Sequence, residues 1–92
     1  MNPNIKTNLY LTCGINNAVA DSEEFAKEIT TALDRYLKCD WGDLCEDDKK
    51  MNELALEDGS RLFASYRTSK GKVYIITEVD RTITTVLFAS EY

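Results

Sequence analysis

The stretch that decides the fold is residues 61–88, which read RLFASYRTSKGKVYIITEVDRTITTVLF. Residues 62–66, 73–79 and 83–88 are rich in β-branched and aromatic side chains and follow a period of two, which is typical of β-strands. The loop that ends at Gly71 and the short turn at residues 80–82 each favour a hairpin. We therefore expect three consecutive strands in an antiparallel meander.

A fourth strand is expected near the start of the chain. Residues 9–13 read Leu-Tyr-Leu-Thr-Cys, an alternation that places Leu9, Leu11 and Cys13 on one side. The glycine and the paired asparagines at residues 14–17 favour a turn directly after this strand. Residues 1–7 contain the single proline of the chain and are expected to be frayed.

The first predicted helix follows that turn. Asp21 and Glu24 have the spacing of a capping box, which places the helix start at about Ser22. Apolar residues then recur at helical spacing, as expected for a helix with one side on a core. This stripe consists of Phe25, Ile29, Leu33 and Tyr36, widened by Ala26, Ala32 and Leu37.

A second helix is predicted after a corner at residues 39–42. Asp43 or Cys45 is placed to cap it, and negative charge in its first turn agrees with the helix dipole. Met51, Leu54 and Ala55 are expected on its buried side, and the glycine at position 59 is placed to end it.

The predicted fold class is therefore α+β, with residues 1–92 as a single domain. The expected order is one strand, two helices and three strands, with the helices packed on one face of a four-stranded sheet. Two short helices cover only one face well. The other face, rich in Tyr and Thr, is expected to be either a solvent face or an interface, for example of a homodimer.

Charge is distributed unevenly along the chain, whose formal net charge is −5. Residues 21–58 hold thirteen of the sixteen acids, whereas residues 59–92 carry more bases than acids. An acidic helical half repels a phosphate backbone, so direct binding of nucleic acid is not expected.

The densest acidic stretch, residues 40–58, contains eight acids and only two bases. It is either a solvated helical surface that keeps the protein soluble or an imitation of phosphate spacing that binds a basic groove. A calcium site fits poorly because the ligand spacing of an EF-hand loop is missing. The candidate partner-binding residues are Asp40, Trp41, Asp43, Glu46, Asp47 and Asp48. Within this set, Trp41 is either an exposed anchor or, as we expect, a buried plug at the end of the core.

Residues suited to catalysis are scarce. The chain has no histidine, and its three cysteines include no Cys-x-x-Cys pair, so we expect no cofactor, no metal site and no enzymatic activity. Arg81, in a turn beside Asp80, is expected to pair with a local acid or to bind a carboxylate or phosphate. Neither a secretory signal nor a membrane span is recognisable, which predicts a cytoplasmic protein.

Several stretches resemble a family of small proteins found on bacterial plasmids, phages and integrated elements and labelled plasmid-related or restriction-subunit proteins. The resemblance lies in residues 11–16 (LTCGIN), 25–26 (FA), 40–44 (DWGDL) with the following acidic helix start and Asn52, and 75–92 (IITEVDRTITTVLFASEY). It implies a setting in which small acidic proteins block CRISPR-Cas or restriction machinery. The expected function is therefore a protein-binding inhibitor of a bacterial defence nuclease, and the alternative is a homodimeric module of plasmid or phage maintenance.

Overall fold

The computed structural model describes residues 7–92, which fold into an α+β arrangement in the predicted order but with an additional helix. The elements are β1 (Asn8–Leu11), α1 (Cys13–Asp21), α2 (Glu23–Leu37), α3 (Glu46–Asp58), β2 (Leu62–Thr68), β3 (Gly71–Thr77), β4 (Ile83–Phe88) and a short 3-10 helix (Ala89–Glu91). The α+β class is confirmed. The expected fraying of residues 1–7 concerns residues that, apart from Thr7, lie outside the described range.

The four strands form one mixed sheet in the order β1-β4-β3-β2. The predicted meander is confirmed, since β2 pairs antiparallel with β3 and β3 with β4. The first strand instead lies parallel to β4, from Asn8 opposite Ile83 to Leu11 opposite Val86. β3 ends at Thr77 rather than at residue 79, so the exposed Val79 belongs to the following loop.

The predicted turn after β1 is instead the helix α1. Thr12 caps this helix, because its hydroxyl accepts a hydrogen bond from the Ile15 N–H at 3.3 Å and donates to the Glu91 carboxylate at 2.8 Å. Ile15 is fully buried. Burial of Ile15 and the carboxylate at the helix start outweigh the turn preference of Gly14 and the asparagines. Cys13 consequently begins the helix instead of ending the strand.

The helix α2 begins where the sequence predicts, but Ser22 is its cap rather than Asp21. The Ser22 hydroxyl accepts a hydrogen bond from the Phe25 N–H at 3.2 Å. The predicted amphipathic stripe is largely confirmed, with Leu37 exposed at its C-terminal end. The buried side consists of Phe25, Ile29, Ala32 and Tyr36.

The main core lies between α1, α2 and one face of the sheet, and it also includes Ala55 of α3. The predicted packing is confirmed for α2, but the second helix on this face is the unpredicted α1, whereas α3 contacts the sheet at its edge strand β2. From the strands it contains Leu62, Ala64, Tyr66, Val73, Ile75 and Val86. The Tyr36 hydroxyl forms a hydrogen bond with the Thr77 hydroxyl at 2.6 Å, and the Thr77 hydroxyl forms another with the Thr84 hydroxyl at 2.8 Å. Burial raises the pKa of Tyr36 to about 12, so this hydroxyl stays protonated near neutral pH.

The opposite face of the sheet carries a smaller aromatic cluster. The ring centroids of Phe63 and Tyr74 lie 4.7 Å apart, and those of Tyr74 and Tyr92 lie 5.6 Å apart. Ile76 and Leu87 are buried on this face beside the rings. Tyr92 thus covers part of the sheet face that we expected to be either a solvent face or an interface.

Candidate protein-binding surface

The corner between α2 and α3 is held by Asp40. Its carboxylate accepts hydrogen bonds from the Arg35 guanidinium at 2.7 and 3.2 Å and from the Gly42 N–H at 3.1 Å. The hydrogen bond from Arg35 is the main reason that the pKa of Asp40 lies below its usual value. Asp40 therefore has a structural role whether or not it also meets a partner.

Trp41, the next residue, is only 3% exposed. Its ring packs edge-on against Tyr36, with the two centroids 5.6 Å apart. Burial was the expected alternative for this residue and is confirmed, so Trp41 does not offer an exposed anchor on the surface of the folded chain.

Residues 41–43 close the outer edge of β2. The Ser65 N–H donates to the Trp41 carbonyl at 3.3 Å, and the Asp43 N–H donates to the Ser65 carbonyl at 2.7 Å. Gly42 lies between them with a φ of +76°, and a Cβ at this position would collide with the Ser65 carbonyl oxygen and lie 2.8 Å from a ring carbon of Tyr66. Glycine is required here for both its conformation and its lack of a side chain.

The helix α3 continues the closure of this edge through Asn52. Its side-chain amide donates to the Phe63 carbonyl at 2.6 Å and its oxygen accepts from the Phe63 N–H at 3.2 Å. Asn52 is 4% exposed, so these two hydrogen bonds satisfy a buried amide and an edge strand together. Asn52 was noted in the sequence only as part of the family resemblance. Its role at the edge of β2 was not predicted, because apolar periodicity gives no weight to an asparagine.

The orientation that buries Asn52 turns two predicted core residues outward. Met51 is 64% exposed and Leu54 is 54% exposed, so their predicted burial is wrong. Ala55 is buried, as expected. The hydrogen bonds from the Asn52 side chain to the Phe63 backbone fix the rotation of α3. Ala55 and the partly buried Leu56 then face the core, whereas Met51 and Leu54 point outward.

The C-terminal end of α3 is fixed by Arg81. Its guanidinium donates to the Ala55 carbonyl at 2.8 Å and to the Ser60 carbonyl at 2.6 Å. The expected ion pair with a local acid is replaced by these contacts, because the carbonyls at and just after the C-terminal end of a helix carry partial negative charge that attracts a cation. Asp80 instead accepts a hydrogen bond from the Thr82 N–H at 3.0 Å.

The remaining predicted acids gather at the N-terminal end of α3. Asp43 lies 3.7 Å from the Arg67 guanidinium, and Glu46 lies 3.9 Å from the Lys49 ammonium group. Asp47 and Asp48 are exposed in the first turn of the helix. We call Asp43, Glu46, Asp47 and Asp48 the acidic turn.

One exposed strip of α3 continues from the acidic turn. Its members are spaced by three or four residues and therefore share one side of the helix. Met51 and Leu54 lie at its centre, with Asp47 and Glu57 at its two ends. We call this strip the α3 outer face, and it consists of Asp47, Lys50, Met51, Leu54 and Glu57.

Residues 7–92 contain no group of three or more acids or cysteines placed to hold a metal ion, and none of their helices has the length and apolar composition to cross a membrane. Comparison of the chain with protein-family models, with curated proteins and with solved structures gave no match.

Proposed function

We propose that this chain is a non-enzymatic inhibitor that binds a protein through the acidic turn and the α3 outer face. The observation that carries the proposal is the exposure of Met51 and Leu54 within an acidic surround. Exposed apolar side chains that stand singly need no explanation, but two adjacent ones on one side of a helix are typical of a helix that docks in a groove.

The apolar pair supplies a source of affinity. Burying an exposed Met or Leu side chain is worth about 1.5–3 kcal/mol when burial is complete. The hydrogen bonds from Asn52 to β2 and from Arg81 to the helix end hold α3 in place. A rigid helix loses little conformational entropy on binding, which favours its use as a recognition element.

The acids supply the specificity. Carboxylates around an apolar centre suit a partner groove that is apolar at its base and lined with lysine and arginine. A nuclease channel that holds nucleic acid has such a basic lining, and the resemblance to proteins of mobile elements implies a CRISPR-Cas or restriction protein of the bacterial cytoplasm as the partner. In this proposal the carboxylates take the place of phosphates, and the chain itself does not bind nucleic acid.

The test is DNA cleavage by a panel of purified RNA-guided nucleases and restriction enzymes, with and without the chain. The wild type is expected to slow at least one of them and to bind it in calorimetry.

Neutralising the acidic turn should weaken binding by more than about tenfold at low salt and by less at high salt. This variant combines Asp43→Asn, Glu46→Gln, Asp47→Asn and Asp48→Asn. The double change Met51→Ser and Leu54→Ser should weaken binding at every salt concentration.

The matched control changes Glu23 and Glu24 to glutamine. These are exposed acids in the first turn of α2 and lie outside both proposed binding elements. They should leave inhibition unchanged. The proposal is wrong if no enzyme in the panel binds, or if the α3 variants bind as well as the wild type.

The alternative is a homodimeric module of plasmid or phage maintenance, expected to pair through the sheet face. A different part of the molecule also favours a dimer, the edge of β1 that faces no strand among residues 7–92. Gel-shift assays with DNA and RNA, together with the oligomeric state in solution, separate the two functions.

A further inference from the structure

The edge of β1 that lies away from β4 has the chemistry of a strand-pairing site. The Asn8 N–H donates to the Thr82 carbonyl and the Thr12 N–H donates to the Val86 carbonyl. Since backbone groups alternate in direction along a strand, the N–H and C=O groups of Leu9 and Leu11 point away from β4. Among residues 7–92 no other strand pairs with this side of β1.

Both sides of this edge are uncharged, and the β1 side chains are apolar apart from the exposed Asn8, which shares a side with Tyr10. On the helical side, Leu9 is 49% exposed beside a groove of about 240 Å³ lined by Thr7, Leu9, Leu33, Tyr36, Leu37 and Thr84. On the other side, Tyr10 is 52% exposed and Ile83 is 39% exposed. Neither β1 nor β4 contains a charged residue.

Natural proteins usually protect an exposed strand edge with lysine, proline, a bulge or a covering element. β1 has none of the charges or prolines that would serve this purpose. The charged residues nearest to Leu37 in sequence are both in ion pairs, Lys38 with Asp34 at 3.0 Å and Arg35 with Asp40 at 2.7 Å. An extended, uncharged and mainly apolar segment therefore suits this edge.

We propose that the occupant is β1 of a second copy, paired antiparallel across a two-fold axis. β1 fits its own edge, since it is extended and uncharged and carries Leu9 and Leu11 on one side and Tyr10 beside Asn8 on the other. A two-fold axis perpendicular to the sheet joins the two sheets into one of eight strands and keeps both helical layers on the same side. The pairing places the acidic segment of neither chain in the contact, which limits repulsion between two copies of net charge −5.

This dimer uses a different surface from the proposed function, so either can fail alone. The first measurement is sedimentation equilibrium of the wild type from micromolar to millimolar concentrations, where a reversible monomer–dimer equilibrium is expected. A wild type that stays monomeric throughout overturns the proposal and leaves the edge to another protein's strand or to no occupant.

The decisive variant is Leu9→Pro. Proline removes an N–H that points away from β4 and is tolerated at such an edge position, so the monomer should keep its fold. In the dimer, each copy loses one hydrogen bond, and the proline ring crowds the partner strand. The dissociation constant of the dimer should therefore rise about 30-fold or more. Leu9→Lys should have the same effect through charge, and it keeps the test available if the proline variant does not fold.

The matched control is Met51→Lys, which places the same charge at another exposed apolar residue. It should leave the dimer unchanged. Tyr74→Lys probes the aromatic side of the sheet. A dimer that survives the substitutions at Leu9 but dissociates on Tyr74→Lys would show pairing through the sheet face and would overturn the assignment to the β1 edge.

Discussion

The two edges of the sheet differ in how their outward backbone groups are used. Along β2, Phe63 is paired with the side chain of Asn52 and Ser65 with the backbone of residues 41–43. Along β1, the outward groups of Leu9 face no strand among residues 7–92. Among residues 7–92, the β2 edge is closed by contacts that depend on Gly42 and Asn52, whereas the β1 edge faces no strand and carries no charge. The comparison shows that closing a strand edge in this fold takes specific residues placed far from that strand in sequence.

The largest expected effect comes from breaking the closed edge at Gly42. Gly42→Ala should destabilise the fold by about 3 kcal/mol, because the new Cβ collides with the Ser65 carbonyl and the residue keeps a positive φ. Chemical denaturation with urea measures the loss.

Gly59→Ala is the matched control for that change. Gly59 also has a positive φ, of +81°, but a Cβ there meets nothing within 4 Å. Its cost should be limited to the backbone term of about 1–2 kcal/mol. Equal losses in the two variants would show that the contact with β2 contributes nothing.

The second effect comes from removing the side-chain part of the closure. Asn52→Ala should cost about 2 kcal/mol, because the Phe63 N–H and C=O lose their partners at the edge of β2. Hydrogen exchange should show faster exchange of the Phe63 amide, while the Ser65 amide, which pairs with Trp41, stays protected. Asn17→Ala, at an exposed position of α1, should change the free energy of unfolding by less than about 0.5 kcal/mol. Unchanged exchange at Phe63 would contradict the assigned role of Asn52.

The smallest expected effect concerns Asp40, whose carboxylate stabilises the corner between α2 and α3. The pKa of Asp40 is lowered in the folded chain, so its carboxylate adds stability above the unfolded pKa of about 4, and this stability is lost as the pH falls through the lower folded value. Asp40→Asn should cost about 1 kcal/mol or less at neutral pH, since Arg35 and Asp40 are 44% and 50% exposed.

Urea denaturation at neutral pH and at about pH 3 tests this dependence. The difference between wild type and Asp40→Asn should shrink on acidification. The wild type should also lose stability there through Glu91, whose pKa is lowered first by the hydrogen bond from the Phe88 N–H. A difference that stays constant with pH would contradict the ion pair as its cause. Asp34→Asn, in the more exposed pair with Lys38, serves as the control and should have a smaller effect.

Local sequence patterns predicted the parts of this fold that depend on local chemistry. The period of two gave the meander, and the capping pattern placed the start of α2 within one residue. The parts that were wrong depend on distant contacts. The helix α1 is stabilised at its start by Glu91, from the other end of the chain, and the rotation of α3 is set by Asn52 against Phe63. No local pattern of apolar residues contains either contact.

The candidate binding surface also has a part that could be predicted from local sequence and a part that could not. The acidic turn could be predicted because charge density is visible in sequence, and its four acids lie together in the structure. Met51 and Leu54 could not be predicted as exposed, because their pattern is also that of a buried stripe. Trp41 and Asp40 belong to the closure of the β2 edge, and they stay in the proposed binding set only as its support.

The buried indole of Trp41 gives the closed edge an intrinsic optical signal. It is the only tryptophan in the chain, and within residues 7–92 its N–H has no hydrogen-bond partner. A buried indole emits at short wavelength, and its emission shifts to the red when it becomes exposed to water. Fluorescence of the unlabelled protein therefore reports the opening of one corner, and it distinguishes local detachment of residues 41–43 from the global unfolding seen by circular dichroism.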